Sequence, residues 1–455
     1  MSYQFGLNFP RVSYFCAMHR IIRNFSIDDP TEFKKKLFIW TKQFETAIWL
    51  DSNDYQQKYS SFDSVLAVEE FTSIKTDYHN AFDRLKEYQS FTKDYIFGYI
   101  SYDVKNDTEK LQSNNLDGLH FPDLFFFQPQ KLIFIKDKTV EFHYLKMIDD
   151  EIEKDFHSIF LEKPIPNIYE KRIRTTKNSL QIKSRIHKEE YCKKVGKVIE
   201  HIRKGDIYEA NLCQEFFIEN TTIDPYGIYT HLNTISETPF ATFFKNENRY
   251  VLSASPERYI KKEGCKIISQ PIKGTAKRLK DKNDDEKIAR NLSRNIKERS
   301  ENIMIVDLVR NDLSKTAQKG SLQVKELCKV YSFKQVHQMI STITSTVDDF
   351  VHPVDIIRET FPMGSMTGAP KISAMEILES LEESKRGLYS GTVGYFTPNG
   401  NFDFNVVIRS ILYNETNKYV SFSAGGAITA KSIPEKEYEE CLLKARAMKH
   451  VLLSS

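Results

Sequence analysis

Apolar positions along the chain alternate between a helical and a strand period, so the pattern predicts a mixed fold before any motif is considered. Phe33, Leu37, Trp40 and Phe44 recur at helical spacing behind Asp29-Pro30, an N-cap residue followed by proline at the first helical position. The apolar run 47–50 predicts a strand. Leu132 to Ile135 and the alternating Val140, Phe142 and Tyr144 flank Lys136-Asp137-Lys138, which predicts a hairpin. Further helices are predicted around Tyr191, Val195, Val198, Ile199 and Ile202, through ENIMIVDLVRND, over Ile372 to Leu381, and at the C-terminus. The alternating FDFNVVIRS and KYVSFSAGG predict strands. Between about Lys163 and Ser184 the pattern breaks: KPIPN carries two prolines and KRIRTTKNS is basic and polar. That stretch reads as a surface connector between an N-terminal region, 18–165, and a second region, 185–452.

Composition narrows the class. Hydrophobic residues at 40% and charged residues at 28% describe a folded chain, and a net charge of only +3 offers no global argument for nucleic acid or membrane partners. No apolar run approaches the ~18 residues that span a bilayer. The opening MSYQFGLNFPRVSYFCAMHR lacks the apolar core of a signal peptide, and Met18, where more regular sequence begins, is an alternative start. Six cysteines (Cys16, Cys192, Cys213, Cys265, Cys328, Cys441) lie far apart without a CxxC pair, as reduced core thiols of a cytoplasmic protein do.

Candidate chemistry begins with two acidic pairs, Glu298/Glu301 in ERSE and Glu437/Glu440 in EKEYEE. A spacing of three puts both carboxylates of a pair on one helix face. Two such helices facing each other make an oxygen-rich cage that suits Mg²⁺, although the spacing alone equally describes two solvated faces. Lys273 in SQPIKGT sits between a proline and a glycine, where a desolvated lysine becomes a nucleophile and an ordinary one is a surface group. Glu257 in SPER is a turn-like carboxylate, either a general acid or half of an ion pair. Gly364 to Lys371 precedes a helix start and SAGGA contains Gly425 and Gly426, both arrangements that bring backbone N–H groups to an anion. Arg409 offers a bidentate fork to a carboxylate or a sheet-edge ion pair. His337 is a lone histidine in an apolar run, a setting typical of structural histidines. No HExxH, catalytic Cys-His pair or GxSxG elbow occurs.

In their order, SPER, PIKGT, ERSENIMIVDLVRND, VHQMISTI, GSMTGAPK, YSGTVGYF, VVIRS, AGGAI and EYEECLLKA resemble the successive signatures of the chorismate-utilising enzymes. That family includes the first components of anthranilate and aminodeoxychorismate synthases and the isochorismate and salicylate synthases. The resemblance implies an α+β fold of two large antiparallel sheets packed as a sandwich, with helices outside and the active site in the cleft. It implies that Glu301 and Glu440 bind Mg²⁺, with Glu298 and Glu437 acting through water. It places the ring carboxylate of chorismate on the metal and the enolpyruvyl carboxylate on Arg409 and the amides near Gly425 and Gly426. Tyr389, Thr367, Thr275 and Lys371 fall at pocket positions, and His337 matches the family's active-site histidine. Leu50-Asp51-Ser52 resembles a segment that lines a tryptophan-holding site in related synthases.

Two positions separate the reactions within that family. Lys273 resembles the nucleophile of the PIKGT-type aminodeoxychorismate synthases, where anthranilate synthases usually carry alanine. Glu209 in GDIYEANLCQ stands where the isochorismate and salicylate synthases use a base lysine and aminating members usually use glutamine. The implied reaction is attack of neutral Lys273 on C2, protonation of the departing C4 hydroxyl by Glu257, and addition of ammonia at C4. The product is 4-amino-4-deoxychorismate, which another enzyme converts to p-aminobenzoate for folate. None of the six cysteines sits in a GxCxG-like elbow, so ammonia is expected from a separate glutamine amidotransferase subunit. Anthranilate synthase component I, isochorismate synthase and a non-catalytic chorismate-binding scaffold are the alternatives.

Overall fold

The computed structural model describes residues 19–55, 58–163, 181–333 and 336–454. Most of the expected connector, Cys16 and the alternative start at Met18 lie outside the described residues. Among the described residues, twenty strands form one continuous, antiparallel sheet, accompanied by eleven α-helices.

Two long strands fold this sheet over on itself. Ser64–Thr76 and Leu124–Lys136 pair along their length. Leu124–Lys136 then gives its end, from Lys131, to Thr139–Leu145 and its start, up to Phe127, to Ile96–Ile100. One half of the sheet continues from Ser64–Thr76 through Thr46–Asp51, Phe240–Asn246, Arg249–Ser255, Ser410–Asn414 and Tyr419–Ile428 to Glu209–Ile218. The other continues from Ile96–Ile100 through Thr392–Phe396, Phe402–Asn405, Arg258–Glu263 and Lys266–Gln270 to Val336–Thr346. The two sheets of the expected sandwich are therefore two halves joined through shared strands. Strands from 18–165 pair directly with strands from 185–452.

Strand alternation builds both cores. Ala47, Trp49, Phe243 and Leu252 join the cluster under the outer helices, which supply Tyr191, Val195, Leu232, Cys441 and Met448. Their neighbours Ile48, Phe244 and Val251 join the cluster between the halves. There the rings of Tyr99 and Phe244, one from each half, meet edge-to-face at 5.3 Å.

Local signals behave as their chemistry dictates. Helix Pro30–Trp40 starts where Asp29 accepts a 3.0 Å hydrogen bond from Glu32 N, and Phe44 lies beyond its end against Trp40. The hairpin pairs Ile135 with Val140 and Ile133 with Phe142 around Asp137 at φ +52°. Among the described residues, no helix is long and apolar enough to cross a membrane.

Candidate active site

The chain passes between the two halves of the sheet at two adjacent places, and each carries a candidate residue. Arg249–Ser255 belongs to one half and Arg258–Glu263 to the other, so Glu257 lies in the crossing. Phe402–Asn405 and Ser410–Asn414 flank the second crossing, which ends at Arg409. The crossings are tied together: Val406 N donates to Glu257 O at 3.0 Å, Ser255 Oγ to Val406 O at 2.6 Å, and Ala254 N to Arg409 O at 3.2 Å. FDFNVVIRS is thus not one strand as its alternation predicts. It bends after Asn405, and Arg409 takes φ +54°, a conformation that a non-glycine residue adopts only where its surroundings enforce it. The half-buried Arg409 guanidinium has no hydrogen bond among the described residues. Burial lowers its pKa, while the nearby Tyr389 and Glu440 favour its charge.

Lys273 enters from strand Ile272–Lys277, where a register shift and Gly274 at φ +89° bulge the chain. Its Nζ lies 3.5 Å from Glu209 Oε1. Burial opposes its charge, but Glu209, Glu301 and Glu257 together outweigh burial and raise its pKa. The electrostatics of the resting site thus run against the expected neutral amine: the carboxyls facing Lys273 favour its ammonium form. Glu257 does move in the expected direction. Burial pushes its carboxyl up to about 7, against the smaller opposing effects of Ser365 and Lys273.

The acidic pairs do lie on facing helices, Ile296–Ser314 and Pro434–Ser454. Lys297 spans them, with Nζ 3.7 Å from Glu301 Oε1 and 3.8 Å from Glu437 Oε1. Strands approach these acids at two glycines, closely enough at Gly274 to disfavour a side chain and at ordinary contact distance at Gly426. A Cβ on Gly274 would stand 3.1 Å from Glu298 Oε2, and one on Gly426 would stand 3.5 Å from Glu437 Oε2 and 3.7 Å from Glu440 Oε1. Burial raises Glu298, with Glu440 adding to it, and burial pushes Glu301 up to about 7. Burial also works against Glu440, but Lys444, 2.8 Å away, outweighs it and lowers that carboxyl. Among the described residues the acids do not close into a ready-made metal cage. Glu301 Oε1 is nevertheless buried without a hydrogen bond, and an all-oxygen donor set of this kind fits a hard divalent cation.

Other expected residues take different roles. Lys371 is corrected from anion donor to structural clamp: its Nζ donates to Asp312 Oδ2 at 2.7 Å, Pro362 O at 2.8 Å and Thr360 O at 3.1 Å, which uses all its protons. His337 is corrected likewise. Its Nε2 lies 2.9 Å from Asp285 Oδ1 and its Nδ1 2.8 Å from Ser332 Oγ, so both nitrogens are engaged on the face turned to helix Lys282–Arg294. The next residue, Gln338, points to the opposite face, in register with Thr275 of PIKGT, and its buried Oε1 lacks a partner. The Thr367 hydroxyl donates to Gly364 O, and Tyr389 Oη lies 3.7 Å from Cys213 Sγ. At Gly425 a Cβ would fall 2.1 Å from Leu212 O, so that glycine is demanded by strand pairing. Ser365 and Lys297 were not singled out from the sequence. The Lys297–Glu301 and Glu440–Lys444 spacings of four were the available signal.

Two cavities border the crossings. One of about 20 Å³ lies behind Glu257, beside Ser365, Ser269 and Asp312. The other, of about 60 Å³, is lined by Leu50, Asp51, Ser52, Phe62, Phe240 and Arg258 among others, so the Leu50-Asp51-Ser52 segment does face an internal space.

Known proteins are similar to this chain in sequence and fold. The family model described as chorismate binding enzyme matches residues 45–450. A probable chloroplastic aminodeoxychorismate synthase of Oryza sativa subsp. japonica is 36% identical over 396 residues, 80% of this chain and 44% of that protein. Aminodeoxychorismate synthase component 1 of Escherichia coli is 41% identical over 257 residues, 56% of each. The chain thus matches about half the length of these curated relatives. The crystal structure of anthranilate synthase component I from Streptococcus pneumoniae superposes with a TM-score of 0.72 at 24% identity, covering 87% of this chain and 95% of that one, a likeness of fold. With its family match running from 45 to 450 across the folded-over sheet, the chain belongs to the chorismate binding enzyme family.

Proposed function

We propose that this chain is the chorismate-aminating component of an aminodeoxychorismate synthase. The observation that carries the reading is the convergence on Lys273 of Glu257, Glu209 and Glu301, next to the facing acidic helices. Relatives named aminodeoxychorismate synthase support it. Glu301 and Glu440, with Glu298 and Glu437 through water, would hold Mg²⁺, which supplies positive charge against the ring carboxylate of chorismate.

The chain's own residues then do the rest. Arg409, a guanidinium without a hydrogen bond among the described residues, receives the enolpyruvyl carboxylate. Lys273 loses its proton and adds to C2 as the C4 hydroxyl leaves with the proton of Glu257. Ammonia adds at C4, the double bonds shift back, and the Lys273 nitrogen departs. Two allylic steps replace one difficult displacement. No cysteine of the sequence lies in a nucleophile elbow, and the E. coli relative is called component 1; a separate glutamine amidotransferase as the ammonia source fits both facts.

Product analysis by liquid chromatography and mass spectrometry tests the reading, using purified protein with chorismate, Mg²⁺ and an ammonium salt. Aminodeoxychorismate is expected, lost without Mg²⁺ and lost in Lys273→Ala. Anthranilate, isochorismate or no turnover refutes it.

A further inference from the structure

The carboxyls around Lys273 favour its ammonium form, and an ammonium has no electron pair with which to attack carbon. Its proton needs an acceptor within reach. Glu209 begins strand Glu209–Ile218 inside the cleft and is 2% exposed. One of its oxygens lies 3.5 Å from Lys273 Nζ, and the other, Oε2, is buried without a hydrogen bond. The backbone beneath it is held by the neighbouring strand Gly368–Ala369, because Glu209 pairs with Ala369 and Tyr208 N donates to Ala369 O at 2.6 Å. The other carboxyls facing Lys273 are Glu301 and Glu257, and neither receives a hydrogen bond from it. Glu301 belongs to the acidic helix pair, and the reading above assigns Glu257 the proton needed by the leaving hydroxyl.

We propose that Glu209 is the proton acceptor that turns the Lys273 ammonium into the nucleophile, a role that rests on the covalent reading above. As the ring closes on the amine, the N–H electron pair becomes the N–C2 bond and the proton passes to Glu209. The C4–O pair leaves as water with the proton of Glu257. When ammonia has added at C4, its surplus proton restores Glu257. The N–C2 pair then returns to nitrogen, which takes its proton back from Glu209. The sum is chorismate plus ammonia to aminodeoxychorismate plus water.

The step is isolated by omitting ammonia. Wild type, Glu209→Gln and Lys273→Ala are mixed with chorismate and Mg²⁺, quenched at short times and weighed by intact-protein mass spectrometry for a chorismate-minus-water adduct. Circular dichroism confirms that the isosteric variant folds. The adduct is expected in wild type, absent in Lys273→Ala, and formed about 100-fold more slowly in Glu209→Gln, the scale of a lost general base. Half-saturation by chorismate and by Mg²⁺ should be unchanged. Partial recovery is expected in Glu209→Asp, which keeps the carboxylate. Adduct formation at the wild-type rate in Glu209→Gln overturns the assignment. So does a shifted Mg²⁺ requirement, which would place Glu209 in the metal's surroundings. No adduct in wild type removes the covalent reading itself, and the assignment with it.

Discussion

Lys371 and Lys273 bring the same side chain into opposite surroundings. Lys371 meets one carboxylate and two carbonyls, and nothing remains for a ligand. Lys371→Met should leave Asp312 as an unpaired buried charge and cost about 3 kcal/mol in urea unfolding. Lys273 faces three carboxyls, Glu209, Glu301 and Glu257. Its motif was legible because PIKGT is distinctive, but its charge was not, because a pKa depends on neighbours 64 residues away in sequence such as Glu209. The same limit applies to His337: sequence marks it, and only strand register shows that its neighbour Gln338 is the residue in register with Thr275. Glu257 is the cleaner case. Its carboxyl must be protonated to act as an acid, so wild-type kcat should decline as pH rises through about 7. Glu257→Gln should lower kcat by at least about 100-fold and abolish that limb of the pH profile.

At the scale of elements, the facing helices Ile296–Ser314 and Pro434–Ser454 set the pH behaviour of the fold. Glu301 keeps its proton up to about 7 in the folded, metal-free protein, against an ordinary value of 4.5. Between those values the unfolded chain has already released that proton. The stabilisation is therefore complete below about 4.5 and lost as pH rises through about 7. Glu257 acts in the same direction. The melting temperature in a chelator should fall from pH 5 to pH 8 in scanning fluorimetry. In the proposed function Mg²⁺ binds the ionised carboxylates, so its stabilising effect should be larger at pH 8 than at pH 6. A Mg²⁺ effect that is flat with pH would argue against these acids as its ligands. The helices themselves were legible from their spacing. The bend at Arg409 was not, because alternation records which side a residue faces and is blind to a chain passing between layers.

For the molecule as a whole, the continuous sheet predicts cooperative unfolding. Both tryptophans, Trp40 and Trp49, lie in the N-terminal region, whose strands pair with strands of the second region. Tryptophan fluorescence and far-ultraviolet dichroism should therefore give coincident urea transitions. Phe244→Ala, which empties the contact with Tyr99 between the halves, should shift both by about 3–5 kcal/mol. Two separated transitions would mean that the regions fold independently. The sequence by itself determined what is local: caps, helix faces, the hairpin turn, the strand period, and an ordered set of motifs specific enough to point to a family. Tertiary structure decided everything that depends on distance. It folded one sheet into two layers, set Glu257 and Arg409 on paired crossings, and gave Lys273 its charge. The reason is physical: spacing and period act through neighbours a few residues away, whereas burial and Coulomb interaction act through space, between residues that the chain holds far apart until it folds.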